Sequence, residues 1–150
     1  MIERVTDYSG YLLRFHEQSS ETANLLLHGF PAYRAVKNLD LADVIHRELG
    51  EDAYILHYRG LGESQGTFKF TAAVEEAISA AEFILKKGAY RNLRLIGHSF
   101  GGLVATNIAI SIPEKIQQLI LLSPLVDLQM TEALYRWCVE DVLKELPRVF

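Results

Sequence analysis

The chain has 150 residues, of which 49% are hydrophobic, 23% are charged and 10% are aromatic. This composition is typical of one folded globular domain and excludes a disordered or fibrous chain. The 15 Lys and Arg and the 19 Asp and Glu give a net charge of -4, and there is no basic stripe, so nucleic acid is not an expected partner. No apolar run approaches the roughly 18 residues that cross a bilayer, which predicts no membrane span. A single cysteine and a start without a signal-peptide pattern predict a cytoplasmic protein.

Apolar runs and helical patterns alternate along the chain, which predicts βαβ units around a mostly parallel sheet. Two short strands at 2–6 and 11–15 flank a turn signal at 7–10 and should form a hairpin. A strand at 23–27 and an amphipathic helix follow. We expect Asn38 to be the N-cap of this helix and Gly50 to end it. Its expected buried face consists of Leu41, Val44, Ile45 and Leu49.

The second unit has a strand at 54–58 and a long helix that begins near Thr71. That helix ends at Lys86-Lys87-Gly88, where the cations favour the negative end of the helix dipole. Its apolar stripe is Val74, Ala77, Ile78, Ala81, Ile84 and Leu85. The third unit has a strand at 93–96, a helix at 103–110 that Pro113 terminates, and a strand at 116–122. This order predicts the α/β class, with a three-layer α/β/α sandwich over residues 1–127.

Residues 128–150 are predicted to form one more amphipathic helix. The aligned apolar side chains are Leu134, Trp137, Cys138, Val142 and Leu146. We interpret this helix as the start of a cap over the site, and ordinary packing against the core is the alternative.

The pattern G-x-S-x-G occurs twice, centred on Ser64 and Ser99. A nucleophile elbow needs a buried strand, a sharp turn and then a helix, because that geometry presents the serine hydroxyl at the top of the sheet. The surroundings of Ser99 fit this order, with a glycine two residues away on each side, at 97 and 101, for a strained turn. Ser64 lies among glycines with no helix directly after it, so it is predicted to be a turn residue.

A serine nucleophile needs preorganised donors for the oxyanion that it creates. The backbone amide of Phe100 lies at the N-terminal end of the helix behind Ser99 and is one expected donor. The amide of Phe30 is the other, since it follows the strand at 23–27 in the loop at 28–31. Gly29 allows close approach of the backbone there.

With these motifs the sequence resembles the α/β-hydrolases, and within them small serine esterases, feruloyl esterases and serine aminopeptidase-like enzymes. The resemblance covers about residues 20–127 and depends on HGFP at 28–31, YRGLGESQG at 58–66 and GHSFGG at 97–102. It implies roles for Ser99, Phe30 and Phe100. The HGFP pattern is also typical of epoxide hydrolases and dehalogenases, but the family pattern of those enzymes has an aspartate at the position of Ser99. Serine implies acyl transfer, namely ester, thioester or amide hydrolysis through an acyl-enzyme.

The resemblance also implies a triad in the order serine, acid, histidine, yet none of the five histidines follows Ser99. His98 adjoins the nucleophile on a strained turn, where neighbouring side chains diverge, so we expect a structural role. Asp127 is a candidate acid, and a surface or helix-capping aspartate is its alternative. His28, Gly29, His98 and Trp137 are candidate substrate-contacting residues. Without a histidine base, kcat should fall by about 10⁶-fold, so the chain itself is predicted to be nearly inert.

The leading hypothesis is that these residues form the N-terminal part of a serine hydrolase acting on a small-molecule ester. The resemblance implies further strands after 116–122, so that strand is expected to be an unprotected edge through which chains self-associate. A non-catalytic binding or interaction module with the same fold is the alternative, and complementation by a separate chain that supplies acid and base is a third.

One cysteine and no H-x-x-x-H or H-E-x-x-H spacing imply no metal and no cofactor.

Overall fold

A computed structural model of the chain describes residues 3–127 except 10, 18, 19, 31–35, 63 and 89, and also residues 129, 133 and 136. The strands in these residues are β1 (Glu3–Tyr8), β2 (Tyr11–His16), β3 (Thr22–Leu27), β4 (Asp52–His57), β5 (Asn92–His98) and β6 (Ile116–Leu122). The α-helices are α1 (Val36–Val44), α2 (Phe70–Gly88) and α3 (Phe100–Ser111). A π-helical turn, Ile45–Leu49, extends α1, and a 3₁₀ turn, Pro113–Lys115, connects α3 to β6.

The six strands form one sheet in the order β1-β2-β4-β3-β5-β6. Strands β4, β3, β5 and β6 pair in parallel, whereas β1 pairs with β2, and β2 with β4, in the antiparallel sense. The hairpin at the start is therefore confirmed, and its closing pair is Tyr8 with Tyr11. The predicted α/β class with a mostly parallel sheet is also confirmed.

Helices cover both faces of the sheet. Leu25 and Leu27 of β3 belong to a core cluster that includes Ala77 of α2 and Val104 of α3. Leu26, between them, belongs to a second cluster that includes Ala42 of α1. Successive side chains of a strand point to opposite faces, so α1 covers one face while α2 and α3 cover the other. This arrangement confirms the three-layer sandwich, and it explains why β3 and β4 are nearly continuous apolar runs.

Helix α2 follows the prediction closely, since it begins at Phe70, ends at Gly88 and buries Ala77, Ala81 and Ile84 completely. Helix α1 requires two corrections. It begins at Val36, so Asn38 lies inside the helix and the N-cap prediction was wrong. An N-cap contributes only about 1 kcal/mol, and the packing of an apolar face outweighs such a local preference.

The predicted buried face of that first helix is also partly wrong. Ile45 is buried, but Val44 and Leu49 are 44% and 59% exposed. The chain from Ile45 to Leu49 is π-helical, and the wider turn rotates Leu49 away from the face that the 3.6-residue period assigns to it. Gly50 does end this segment, with φ of 64° in the left-handed region that glycine adopts without strain.

Strand β6 lies at the edge of the sheet, and Leu119, Leu121 and Leu122 are between 36% and 45% exposed. The edge position and the exposed leucines agree with the prediction for this strand, while self-association through it stays a prediction. The predicted last helix, including Trp137 and Cys138, lies outside the described residues except at 129, 133 and 136. Within the described part of the chain, no helix is long and apolar enough to cross a membrane.

Candidate active site

Ser99 is the single residue between β5 and α3, at the carboxyl end of the parallel strands. Its backbone has φ of 53° and ψ of -120°, a conformation that costs a residue with a Cβ atom about 1–3 kcal/mol. Such strain persists only where the surrounding structure enforces it, and it occurs preferentially at functional sites. The strand, turn and helix expected around Ser99 are all present.

Two glycines allow close backbone approaches at this turn, one between the elbow and β3 and one within the elbow itself. A Cβ atom on Gly101 would lie 2.0 Å from the carbonyl oxygen of Leu27, and one on Gly97 would lie 2.4 Å from the carbonyl oxygen of Gly101. Both obstacles are backbone atoms, which cannot rotate away as a side chain can. The glycines of the motif are therefore required by close backbone approach.

Three backbone hydrogen bonds hold the main chain of Ser99, and two of them connect it to the end of β6 and the loop that follows. The amide of Ser99 donates to the carbonyl of Leu122 at 3.1 Å, and its carbonyl accepts from the amide of Leu125 at 2.8 Å. The amide of Gly102 donates to the same carbonyl at 2.9 Å. These three bonds offset the strain at Ser99 and tie the elbow to the end of the neighbouring strand.

The loop after β3 lies beside the serine. A Cβ atom built on Gly29 would lie 3.0 Å from the Cβ of Ser99 and 3.1 Å from Nδ1 of His98. The structure thus brings Gly29 and the neighbouring Phe30 to the same end of the sheet as Ser99 and Phe100. Since glycine lacks a Cβ atom, the backbone of this loop can approach a group bound at Ser99.

His28 supports this loop from below. It is buried, its Nδ1–H donates to the carbonyl of Gly29 at 2.8 Å, and the hydroxyl of Tyr58 donates to the His28 carbonyl at 3.3 Å. Burial lowers the pKa of His28 to about 4, while the bond to Gly29 opposes that shift less strongly. His28 is therefore neutral near pH 7 and orients the Gly29 peptide group.

Aromatic rings surround the two residues that carry the expected oxyanion donors. Phe100 and Tyr58 are fully buried, with ring centroids 5.5 Å apart, and Phe30, Phe68 and Phe70 are partly buried against the same core. Sequence reasoning did not single out Tyr58, Phe68 or Phe70 as site residues. The alternation of Phe68 and Phe70 at the start of α2 was the available signal, but only the fold shows what these rings contact.

The remaining candidates differ in their surroundings. His98 is exposed at the end of β5. Asp127 is exposed and its Oδ1 accepts from the amide of Gln129 at 2.8 Å, which is the geometry of a capping aspartate. The hydroxyl of Ser64 donates to the carbonyl of His57 at 2.7 Å, as a turn residue does. Trp137 lies outside the described residues.

Metal ligation has no visible basis in the described residues, which contain no group of three or more His, Cys, Asp or Glu side chains that could hold an ion.

The sheet order, the two helical layers and the strained serine between β5 and α3 define an α/β hydrolase. Residues 19–150 match the family described as serine aminopeptidase, S33, and the chain belongs to that family. The resemblance inferred from the three sequence motifs is thereby confirmed.

Similar proteins include longer hydrolases. Mouse epoxide hydrolase 4 is 32% identical over 118 residues, which cover 74% of this chain and 32% of that protein. The chain therefore spans about a third of the length of the curated relatives it matches. Among solved structures, mouse alpha/beta hydrolase domain-containing protein 10 has a TM-score of 0.71 at 20% identity, covering 90% of this chain and 54% of that one. The Francisella virulence factor BioJ has a TM-score of 0.68 at 25% identity, covering 85% of this chain and 45% of that one.

Proposed function

We propose that this protein is a serine hydrolase that cleaves an ester, thioester or amide bond of a small molecule through an acyl-enzyme on Ser99. The conformation of Ser99 carries the proposal, since its φ of 53° places it on a one-residue turn between β5 and α3. In a nucleophile elbow, such a turn presents the serine hydroxyl at the end of the sheet where ligands bind in α/β folds.

The reaction has two halves. The Oγ of Ser99 attacks the substrate carbonyl carbon, a general base takes the hydroxyl proton, and the carbonyl oxygen becomes an oxyanion. The backbone N–H groups of Phe30 and Phe100 donate to that oxyanion. The C–O, C–S or C–N bond to the leaving group then breaks, and the base returns the proton to it. Water repeats the sequence on the acyl-enzyme, which releases the acid and restores Ser99.

Serine at position 99 separates this proposal from epoxide opening. The curated relatives are named epoxide hydrolase 4. The resemblance to epoxide hydrolases through the HGFP pattern implies an aspartate at the position where this chain has Ser99. An aspartate attacks an epoxide carbon to form an ester, whereas a serine hydroxyl suits attack on a carbonyl. We therefore favour acyl transfer.

The general base stays unassigned, because none of the five histidines follows Ser99. His28 is buried and its Nδ1–H is bound to Gly29, so we assign it to the loop rather than to proton transfer. The 150-residue chain alone is therefore expected to turn over substrate about 10⁶-fold more slowly than a complete serine hydrolase.

Initial rates of p-nitrophenyl acetate and butyrate hydrolysis test the proposal on the longest protein that the gene encodes. The variant Ser99→Ala should lower kcat by about 10⁶-fold and leave only the residual catalysis that the oxyanion hole and substrate binding provide. Ser64→Ala is the matched control, because Ser64 occupies the second G-x-S-x-G pattern and its hydroxyl binds the His57 carbonyl in a turn. Ser64→Ala should keep most of the activity.

Two results would overturn the assignment. Full ester hydrolysis by Ser99→Ala would exclude Ser99 as the nucleophile. Turnover of an epoxide such as styrene oxide, together with no turnover of any ester, would replace acyl transfer by epoxide hydrolysis.

A non-catalytic binding module that keeps the hydrolase fold is the second candidate. Reading the gene beyond codon 150 separates the two candidates. An in-frame continuation that contains a histidine supports the enzyme, and a stop codon supports the module.

A further inference from the structure

We propose that Phe68 and Phe70 are positioning residues that hold the backbone amides of Phe30 and Phe100 in one fixed arrangement. The inference rests on the proposed function, in which those two amides stabilise the oxyanion. It assigns a role to two residues that lie outside the three sequence motifs and whose side chains carry no titratable or nucleophilic group.

The ring of Phe68 contacts both donor residues. It stacks on Phe30 with centroids 4.9 Å apart and planes inclined by 23°, and it meets Phe100 edge to face at 5.8 Å and 80°. Offset-stacked and edge-to-face pairs in this distance range are favourable by about 0.5–1.5 kcal/mol each beyond their burial.

The ring of Phe70 makes the same two connections. Its centroid lies 5.4 Å from that of Phe30 and 5.1 Å from that of Phe100. Phe68 and Phe70 also meet edge to face at 4.9 Å and 82°. Each of the two rings therefore bridges Phe30 and Phe100, and the four rings brace one another.

The bridge joins three separate parts of the chain. Phe100 is the first residue of α3 and is fully buried, so its position is set by the core. Phe30 lies three residues beyond the end of β3, in a loop outside the strand ladder. Phe68 and Phe70 come from the segment that enters α2. These two rings therefore connect the loop after β3 to the first turn of α3.

Tyr58 completes the support underneath. It is fully buried, its ring lies 5.5 Å from Phe100 and 6.3 Å from Phe68, and its hydroxyl donates to the carbonyl of His28. A close-packed set of rings transmits displacement instead of absorbing it. A shift of Phe68 should therefore move Phe30 relative to Phe100.

Small displacements matter for this chemistry. Oxyanion donors act when they lie about 2.7–3.1 Å from the developing charge, and a misplacement of about 1 Å in an active site can cost about 100-fold in rate. The oxyanion exists only in the transition state and intermediate, so a misplaced donor lowers kcat and leaves substrate binding nearly unchanged.

Steady-state kinetics on p-nitrophenyl butyrate, with the longest protein that the gene encodes, provide the first test. We expect Phe68→Ala to lower kcat by about 10- to 100-fold while KM changes by less than about threefold. Phe68→Tyr keeps the ring and should restore most of kcat. Phe68→Leu keeps apolar volume without the ring plane, so its kcat should lie between those of Phe68→Ala and Phe68→Tyr. It replaces Phe68→Ala as the test variant if the alanine variant does not fold.

Phe83→Ala is the matched control. Phe83 is also a partly buried aromatic residue of α2, but it packs against Tyr8 with centroids 4.3 Å apart. It lies 13 residues after Phe70, which is about 20 Å along the helix. Its kcat and KM should match those of the wild type. An unchanged kcat in Phe68→Ala, or a loss that appears only in KM, would overturn the positioning role and indicate a wall of the substrate pocket.

Amide spectra separate this inference from the proposed function. In ¹⁵N-phenylalanine-labelled protein, Phe68→Ala should shift the amide signals of both Phe30 and Phe100, and Phe83→Ala should shift neither. Unshifted Phe30 and Phe100 signals would refute the bridge, whether or not the enzyme hydrolyses esters. Shifted signals in a protein without Ser99-dependent hydrolysis would keep the bridge and refute the catalytic role of the two amides.

Discussion

Gly101 is the position where the structure predicts the most severe effect of a single added methyl group. In Gly101→Ala the new Cβ atom would lie 2.0 Å and 2.5 Å from the carbonyl oxygen and carbon of Leu27, and 2.8 Å from the carbonyl oxygen of His28. Ordinary contacts of a Cβ atom begin at 3.4 Å, so the closest contact is about 1.4 Å too short. All three obstacles are backbone atoms, and relief requires α3 to move away from β3.

Overpacking a core costs typically 1–3 kcal/mol, and we expect about 3 kcal/mol or more here because no side chain can yield. At about 2–4 °C per kcal/mol for a protein of this size, the midpoint of thermal unfolding should fall by about 6–12 °C. Circular dichroism during heating and urea denaturation measure both quantities. Ester hydrolysis by the folded fraction should fall as well, since Ser99 moves with α3.

Gly29→Ala provides the graded comparison. Its nearest obstacles are the Cβ of Ser99 at 3.0 Å and the Nδ1 of the exposed His98 side chain at 3.1 Å, so a shift of a few tenths of an ångström relieves them. It should lose no more than about 1 kcal/mol. Stability of Gly101→Ala within about 0.5 kcal/mol of the wild type would refute the close approach of the elbow to β3.

Two further predictions concern the strain at Ser99 and the burial of His28. Ser99→Gly should be about 1 kcal/mol more stable than Ser99→Ala in urea denaturation. Glycine relieves backbone strain of about 1–3 kcal/mol at a φ of 53° and loses about 0.5–1 kcal/mol to the greater entropy of its unfolded state. Equal stabilities of the two variants would argue against a strained turn. The folded-state pKa of His28 is lowered from 6.5 to about 4, so below pH 6.5 the unfolded state binds a proton that the folded state does not. The free energy of unfolding should therefore fall by roughly 3 kcal/mol as the pH drops from 7 to 4. His28→Gln should lose this contribution to the pH dependence. An unchanged pH dependence in His28→Gln would assign the titration to another group.

Much of the fold follows from patterns in the sequence. The stripe of α2 was predictable because α2 is long and packs one face on the core, so its period of 3.6 residues persists over five turns. The choice of Ser99 over Ser64 was also predictable, since only Ser99 stands between a buried strand and a helix. Gly50 marked a helix end correctly because its αL conformation is a local property.

Other features depend on tertiary structure and escaped prediction. The exposure of Leu49 follows from a π-helical turn, which the hydrophobic pattern does not encode. The bridge made by Phe68 and Phe70 joins segments that are about 30 to 40 residues apart in sequence, and only the packing of α2 beside α3 brings the rings together. A single aromatic residue near a motif predicts burial and does not identify its neighbours.

The identity of the nucleophile is the central claim, and trapping of the acyl-enzyme tests it most directly. The longest protein that the gene encodes is mixed with p-nitrophenyl butyrate, quenched in acid during turnover, digested and analysed by peptide mass spectrometry. We predict a butyryl group on the peptide that contains Ser99, and its loss in Ser99→Ala. A butyryl group on Ser64 instead, or steady turnover with no acylated Ser99, would contradict the account.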